Sequence, residues 1–136
     1  MRKFPTQRYL ALKAVMMPRD TNPHGTIFGG VLLSFIDQAG AVGARHEIRL
    51  ARWPDRKIVT VAMKSVEFHR PVFVGDVVSF WTQVLHVGHT LITVRVSVEA
   101  ERDGRLQKLT RAEVTYVAVE LVDGTPQPVT IRGDQV

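Results

Sequence analysis

There is no cysteine anywhere in the 136 residues. That one absence excludes a disulfide, a zinc site built on thiolates and a cysteine nucleophile, and it fits a cytoplasmic location. Nor does any stretch reach the roughly 18 consecutive apolar residues of a membrane-crossing helix, so a soluble protein with no membrane partner is expected. The opening MRKFPTQRYLALKAVMM pairs basic residues with an apolar run, but Lys13 interrupts the run and no small-residue cleavage site follows; no signal peptide is expected. The chain has neither a GxGxxG fingerprint nor a Walker phosphate loop. Its five histidines, His24, His46, His69, His86 and His89, include no HExxH and no paired spacing, so surface or packing roles are expected for them and no metal site. Ser34 lacks a GxSxG elbow. Acids are outnumbered, and the net charge of +5 favours an anionic partner. The bases are dispersed, with a loose concentration over residues 45–57 and no aromatic interleaving, which disfavours nucleic acid. A phosphorylated small molecule would use the same charge.

What is present suits one ordinary domain. A hydrophobic content of 45% with 23% charged residues is that of a globular protein, and the length suits a single domain over residues 1–136, with irregular tails at about 1–8 and 121–136. Residues 9–17, YLALKAVMM, read as a first strand, and DTNPHG as the loop that follows. Gly29 and Gly30 open a long helix to about Leu50. In it Leu32, Phe35, Ile36, Ala39, Val42 and Gly43 follow helical spacing, while Gly30, Ser34, Asp37, Ala41 and Ala44 form an adjacent stripe of small residues carrying one acid. Every later element reads as a strand. KIVTVAMKSVEFH is one, VGDVV restarts another through Val87, and residues 91–101 alternate between a core face (Ile92, Val94, Val96, Val98, Ala100) and a solvated one (Thr93, Arg95, Ser97, Glu99, Glu101). Asp103-Gly104 is a two-residue hairpin signal that returns the chain as LQKLTRAEVTYVAVE. Beyond Asp123-Gly124 the segment TPQPVTIRGDQV reads as irregular. The expected architecture is α+β: one long central helix wrapped by a five-stranded antiparallel sheet whose short connections join neighbours. Its two open edges make pairing across a dimer plausible.

Asp37 is the residue that asks for an explanation. Mid-helix acids ordinarily face solvent, but its helical neighbours Leu33, Ser34, Gly40 and Ala41 are apolar or small, and Asp is a mediocre helix former with no cap to supply there. A carboxylate beside a cleft is a candidate general base or nucleophile. Asn22 reads first as a turn residue before Pro23. The Gly29-Gly30 pair offers free amides at a helix start and close approach to a ligand. Asp37 lies eight residues beyond Gly29, about 12 Å along a helix, whereas a base and an oxyanion donor must both lie within about 3 Å of one reacting group. Two antiparallel helices related by a two-fold axis meet that requirement, Gly29 of one chain facing Asp37 of the other. Glu47, a further ten residues on, is about 15 Å from Asp37 and cannot form a carboxylate pair with it.

The segment MPRDTNPHGTIFGGVLLSFIDQAGAVGA, with IVTVAMKSVEFHRPVFVGDVV, VLHVGHTLITVRVSVEAE and RAEVTYVAV after it, resembles the hotdog-fold acyl-CoA thioesterases, in particular their single-domain acyl-CoA hydrolase branch. The spacing from Asn22 through Gly29 and Gly30 to Asp37 is the specific part. Phe28, where other hotdog thioesterases carry a histidine, disfavours the aromatic-thioester branch. The resemblance implies a helix wrapped by an antiparallel sheet, an obligate homodimer that assembles further into a tetramer or hexamer, and hydrolysis of acyl-CoA to free coenzyme A and a carboxylic acid with no cofactor beyond the substrate itself. It makes Asp37 the group that activates water or attacks the thioester, the base role being preferred. Asn22 would hold the water or the carbonyl, the Gly29 N–H would be the oxyanion donor, and Thr60 would line the site and assist the water. Gly30, Val59, Arg70, Gly88, Thr90 and Lys108 are implied on the substrate side. Arg70 and Lys108, with the basic residues of 52–57, are phosphate-binding candidates by charge and position. The alternative expectation is a non-catalytic acyl-CoA-binding sensor of the same fold.

Overall fold

The computed structural model describes residues 8–133. Strand β1 (Tyr9–Val15) leads through a 3-10 turn at Pro18–Asp20 to helix α1 (Gly29–Leu50), and five strands follow: β2 (Lys57–Phe68), β3 (Val77–Val87), β4 (Leu91–Arg102), β5 (Arg105–Val122) and β6 (Thr125–Pro128). All pairings are antiparallel, in the order β1-β3-β4-β5-β2 with β6 also on β5. The N-terminal tail expected to be irregular lies outside the described residues except for Arg8, whose guanidinium bonds Glu99.

Helix α1 buries Leu32, Ile36, Ala39, Gly40, Gly43, Ala44, Glu47 and Ile48, the i, i+3, i+4, i+7 rhythm of one face. The core-facing residues of β4, Ile92, Val94, Val96, Val98 and Ala100, all lie in the core beneath it. The helix stops where Arg52 takes a left-handed φ of 59°, with the Ala51 N–H closing the last turn onto the Glu47 carbonyl at 3.0 Å. Val42, expected on the core face, is exposed, because the buried face is turned toward the glycines. A side chain at Gly40 would start 2.2 Å from the Tyr116 hydroxyl, and one at Gly43 would start 2.2 Å from the Thr82 hydroxyl. Close approach of helix to sheet is therefore made at Gly40 and Gly43. Of the stripe of small residues, Gly30 and Ser34 are exposed and Asp37 and Ala41 half-buried on the flank, while Ala44 is buried in the core.

Three further expectations are corrected. Glu99 is buried rather than solvated, because Arg8 folds over it with an Nη1 to Oε2 distance of 2.6 Å. The tail after Asp123-Gly124 is a sixth strand in place of an irregular segment: Asp123 and Gly124 adopt φ of 50° and 78°, β6 pairs back on residues 119–122, and Ile131 returns to the core. Finally, the short link between β2 and β3 does not join neighbours. β2 is one edge of the sheet and β3 lies next to β1, so residues 69–76 cross the end of the sheet. Along that crossing the Ile27 N–H bonds the Val72 carbonyl at 2.8 Å and Thr26 bridges Phe73, which ties the link to the loop that enters α1.

Candidate active site

That tie builds a cavity. The loop before the helix contributes Thr26 and Ile27, the helix start Gly29 and Leu32, the end of β2 Phe68, and the crossing segment His69 through Val72, around a space of about 340 Å³. Gly29 borders it with the Phe68 ring 3.4 Å from where a side chain would begin. The Val31 and Leu32 N–H groups reach the Phe28 carbonyl, so the Gly29 and Gly30 amides, one step earlier, precede the first helical hydrogen bond, as the first donors of any helix do. Gly30 is exposed, with open space about it. Arg70 stands on the cavity wall.

Asn22 organises the entry loop. Its Oδ1 accepts from the backbone N–H of His24 and Thr26 at 2.9 and 3.1 Å, and its Nδ2 donates to the Thr26 hydroxyl at 2.7 Å. These are the bonds of an Asx turn, and through Thr26 they set one wall of the cavity. The turn reading of this residue therefore holds in the single chain.

Asp37 lies two turns further along α1, about 12 Å from the helix start, and does not border the cavity. It is half-buried. Thr60 of β2 donates its hydroxyl to Asp37 Oδ1 at 2.7 Å, so two of the residues singled out from the sequence meet directly. Tyr116 of β5 donates its hydroxyl to the backbone carbonyl of the same Asp37 at 2.7 Å. Burial first, and then the nearby Asp37 charge, push the phenol well above its usual range, so Tyr116 stays a donor. Sequence reasoning missed it. The signal was there in the glycines: two on one helix face let side chains of the sheet come close, and the alternation of VTYVAV turns Tyr116 to the helix.

Val59 is exposed beside Thr60 on the edge strand and pairs with Val117. Gly88 and Thr90 form the β3–β4 turn, where the Gly88 N–H bonds the Leu91 carbonyl and the Thr90 carbonyl accepts from Ala118, each at 2.8 Å. Ala118 pairs with Ile58, so this turn is at the Val59 end of the sheet. Lys108 is elsewhere, beside a concavity of about 170 Å³ that Arg8, Arg95 and Arg111 also line. Of the phosphate-binding candidates, Arg70 and Lys108 thus stand on different hollows, and His69 borders both. Among the described residues no three His, Asp or Glu side chains are grouped as metal ligands would be, and no helix is long and apolar enough to cross a membrane.

An antiparallel sheet around a single long helix, a glycine pair at the helix entry and a carboxylate two turns later define a class. The family description "Thioesterase superfamily" matches residues 24–107, and the chain belongs to that superfamily. The acyl-CoA thioester hydrolase YciA of Salmonella typhimurium is 39% identical over 132 residues, covering 93% of this chain and 94% of its own. Among solved structures, Cj0915, a hexameric hotdog-fold thioesterase of Campylobacter jejuni, is 44% identical with a TM-score of 0.75, over 89% of this chain and 90% of that one. HI0827, a hexameric broad-specificity acyl-coenzyme A thioesterase, is 34% identical with a TM-score of 0.81, over 95% of this chain and 90% of that one; it was solved as a variant with one aspartate replaced by alanine. The resemblance read from the sequence and the hotdog fold it implied are both borne out.

Proposed function

We propose that the protein is an acyl-CoA thioester hydrolase whose working unit is two copies of the chain, assembled further into a hexamer, acting in the cytoplasm. The observation that carries this reading is the division of one helix into two half-sites. The cavity and free amides are at its start, and a carboxylate held by Thr60 is about 12 Å on. Supporting it are the relatives' activities and β2, a sheet edge with Val59, Val61 and Phe68 exposed. A long apolar edge of this kind invites pairing with a second strand.

In the dimer, the thioester carbonyl lies at the Gly29 amide of one chain, facing Asp37 of the other. The Asp37 carboxylate takes a proton from water as the water oxygen bonds to the carbonyl carbon. The negative charge that develops on the carbonyl oxygen is met by the Gly29 N–H. The C–S bond then breaks, Asp37 returns the proton, and coenzyme A leaves as the thiol with the carboxylic acid as the second product. Asn22 holds the entry loop, and Arg70 meets substrate phosphate. Hydrolysis of a thioester is downhill, so positioning, a base and charge stabilisation suffice.

The test is release of free thiol from a panel of acyl-CoA chain lengths by the wild-type protein and by Asp37→Asn. The expected result is turnover by the wild type, with kcat in the variant reduced by at least about a hundredfold while the oligomer persists. Tight binding of every acyl-CoA without turnover in the wild type would replace this reading with that of a sensor.

A further inference from the structure

We propose that Tyr116 is a positioning residue that, together with Thr60, fixes Asp37 for the reaction by holding the helix turn that carries it. This rests on the reading of Asp37 as the base. The sheet register makes the arrangement possible. Thr60 of β2 and Tyr116 of β5 are directly opposed cross-strand partners, so both side chains rise from the same face of the sheet. They reach the two ends of a single residue: Thr60 bonds the carboxylate of Asp37 and Tyr116 bonds its main-chain carbonyl. A helical carbonyl already accepts from the N–H four residues on, and its second lone pair is free for such a donor. A carboxylate tied only by its side chain would follow every shift of the helix over the sheet. Tying the carbonyl as well fixes the backbone from which the carboxylate projects.

Gly40 is the other half of the device. It lies one turn beyond Asp37 and is buried, and an added Cβ would fall 2.2 Å from the Tyr116 hydroxyl but 3.1 Å from the ring carbon that bears it. The helix surface is cut back where the hydroxyl passes. A phenylalanine would fill nearly all of the same space without the bond, so the hydroxyl has a role that packing does not explain. Because the phenol is buried and kept protonated, the tie does not loosen over the pH range in which a carboxylate base works.

Steady-state kinetics and unfolding midpoints of four variants test this. Tyr116→Phe is expected to lower kcat about tenfold, with KM within about twofold, as for a group acting on the reacting geometry rather than on binding. Gly40→Ala is expected to lower the unfolding midpoint and kcat together. Gly40→Ala/Tyr116→Phe should recover most of the midpoint, since the colliding oxygen is gone, yet keep kcat at the Tyr116→Phe level. Asp37→Asn anchors the series. An inactive Asp37→Asn beside a Tyr116→Phe of wild-type kcat, or a Tyr116→Phe altered in KM alone, overturns the positioning role and leaves the base in place. Recovery of kcat along with the midpoint in the double variant would overturn it too, by reducing Tyr116 to a packing residue. An active Asp37→Asn overturns the reading beneath it.

Discussion

Replacing Thr60 by valine removes one hydrogen bond and little else. The side chains are nearly isosteric, both are β-branched, and valine suits a strand at least as well. The bond lost is the 2.7 Å contact from the Thr60 hydroxyl to Asp37 Oδ1. Hydrogen bonds to charged groups contribute about 1.5–3 kcal/mol, and Thr60 is exposed in the single chain, so water competes and the lower end applies. About 1.4 kcal/mol corresponds to a tenfold change in rate. Thr60→Val is therefore expected to lower kcat about tenfold with KM little changed, measured as thiol release from one acyl-CoA at saturation and below it. The same lost bond limits the fall in folding stability to about 1.5 kcal/mol. Thr60→Ser keeps the hydroxyl and should keep most of kcat. The reasoning fails if Thr60→Val turns over at the wild-type rate, or if the serine falls as far as the valine.

The oligomer and the acid limb of stability supply two more predictions. Val61 is 55% exposed on the β2 edge; Val61→Lys places a charge there, the device by which natural edges avoid pairing. It is expected to yield monomers by light scattering and to lose activity more than about tenfold, because each chain would keep only half of a site; fully active monomers would contradict the shared site. Asp76 sits below the usual carboxylate range: burial raises its pKa, but hydrogen bonds from Arg102 and from the Phe73 N–H, with the Arg102 charge, outweigh that. A depressed folded-state pKa means a contribution that is whole above the unfolded value of about 3.9 and lost as pH falls through the folded value. The wild-type urea midpoint should accordingly drop more steeply below about pH 4 than that of Asp76→Asn, and parallel curves would exclude this linkage.

The helix was legible because its signals are local. Its entry is a glycine pair, and its observed span of Gly29–Leu50 agrees with the reading. The Asp103-Gly104 turn was equally plain, with both residues at positive φ. The same dipeptide at Asp123-Gly124 was not followed into a strand because Pro126 and Pro128 argue against one. Their spacing resolves the conflict. The Val129 N–H bonds the Ala118 carbonyl at 2.9 Å, so by alternation the two prolines turn their nitrogens away from β5, where no donor is needed. The position of β2 was not legible, since a short connection reads the same whether it joins neighbours or crosses a sheet end. What fixes the crossing is a pairing between residues 27 and 72, far apart in sequence. Within the site, Asp37 stood out by composition and Thr60 entered by resemblance, but their direct bond, and the part of Tyr116, depend on register across β2 and β5.

The small residues of α1 then divide into two sets with different tasks. Gly40 and Gly43 face the chain's own sheet, where Tyr116 and Thr82 occupy the space that a side chain would need. Gly30, Ser34, Asp37 and Ala41 lie on the flank that this sheet leaves at least partly open. The helical rise holds Gly29 and Asp37 about 12 Å apart whatever the helix packs against. Chemistry that needs both groups at one carbon atom must therefore draw them from two helices, and the open flank is where a second helix can come close enough. Under the proposed mechanism, the rise of the helix that carries Asp37 is thus what makes a lone chain insufficient.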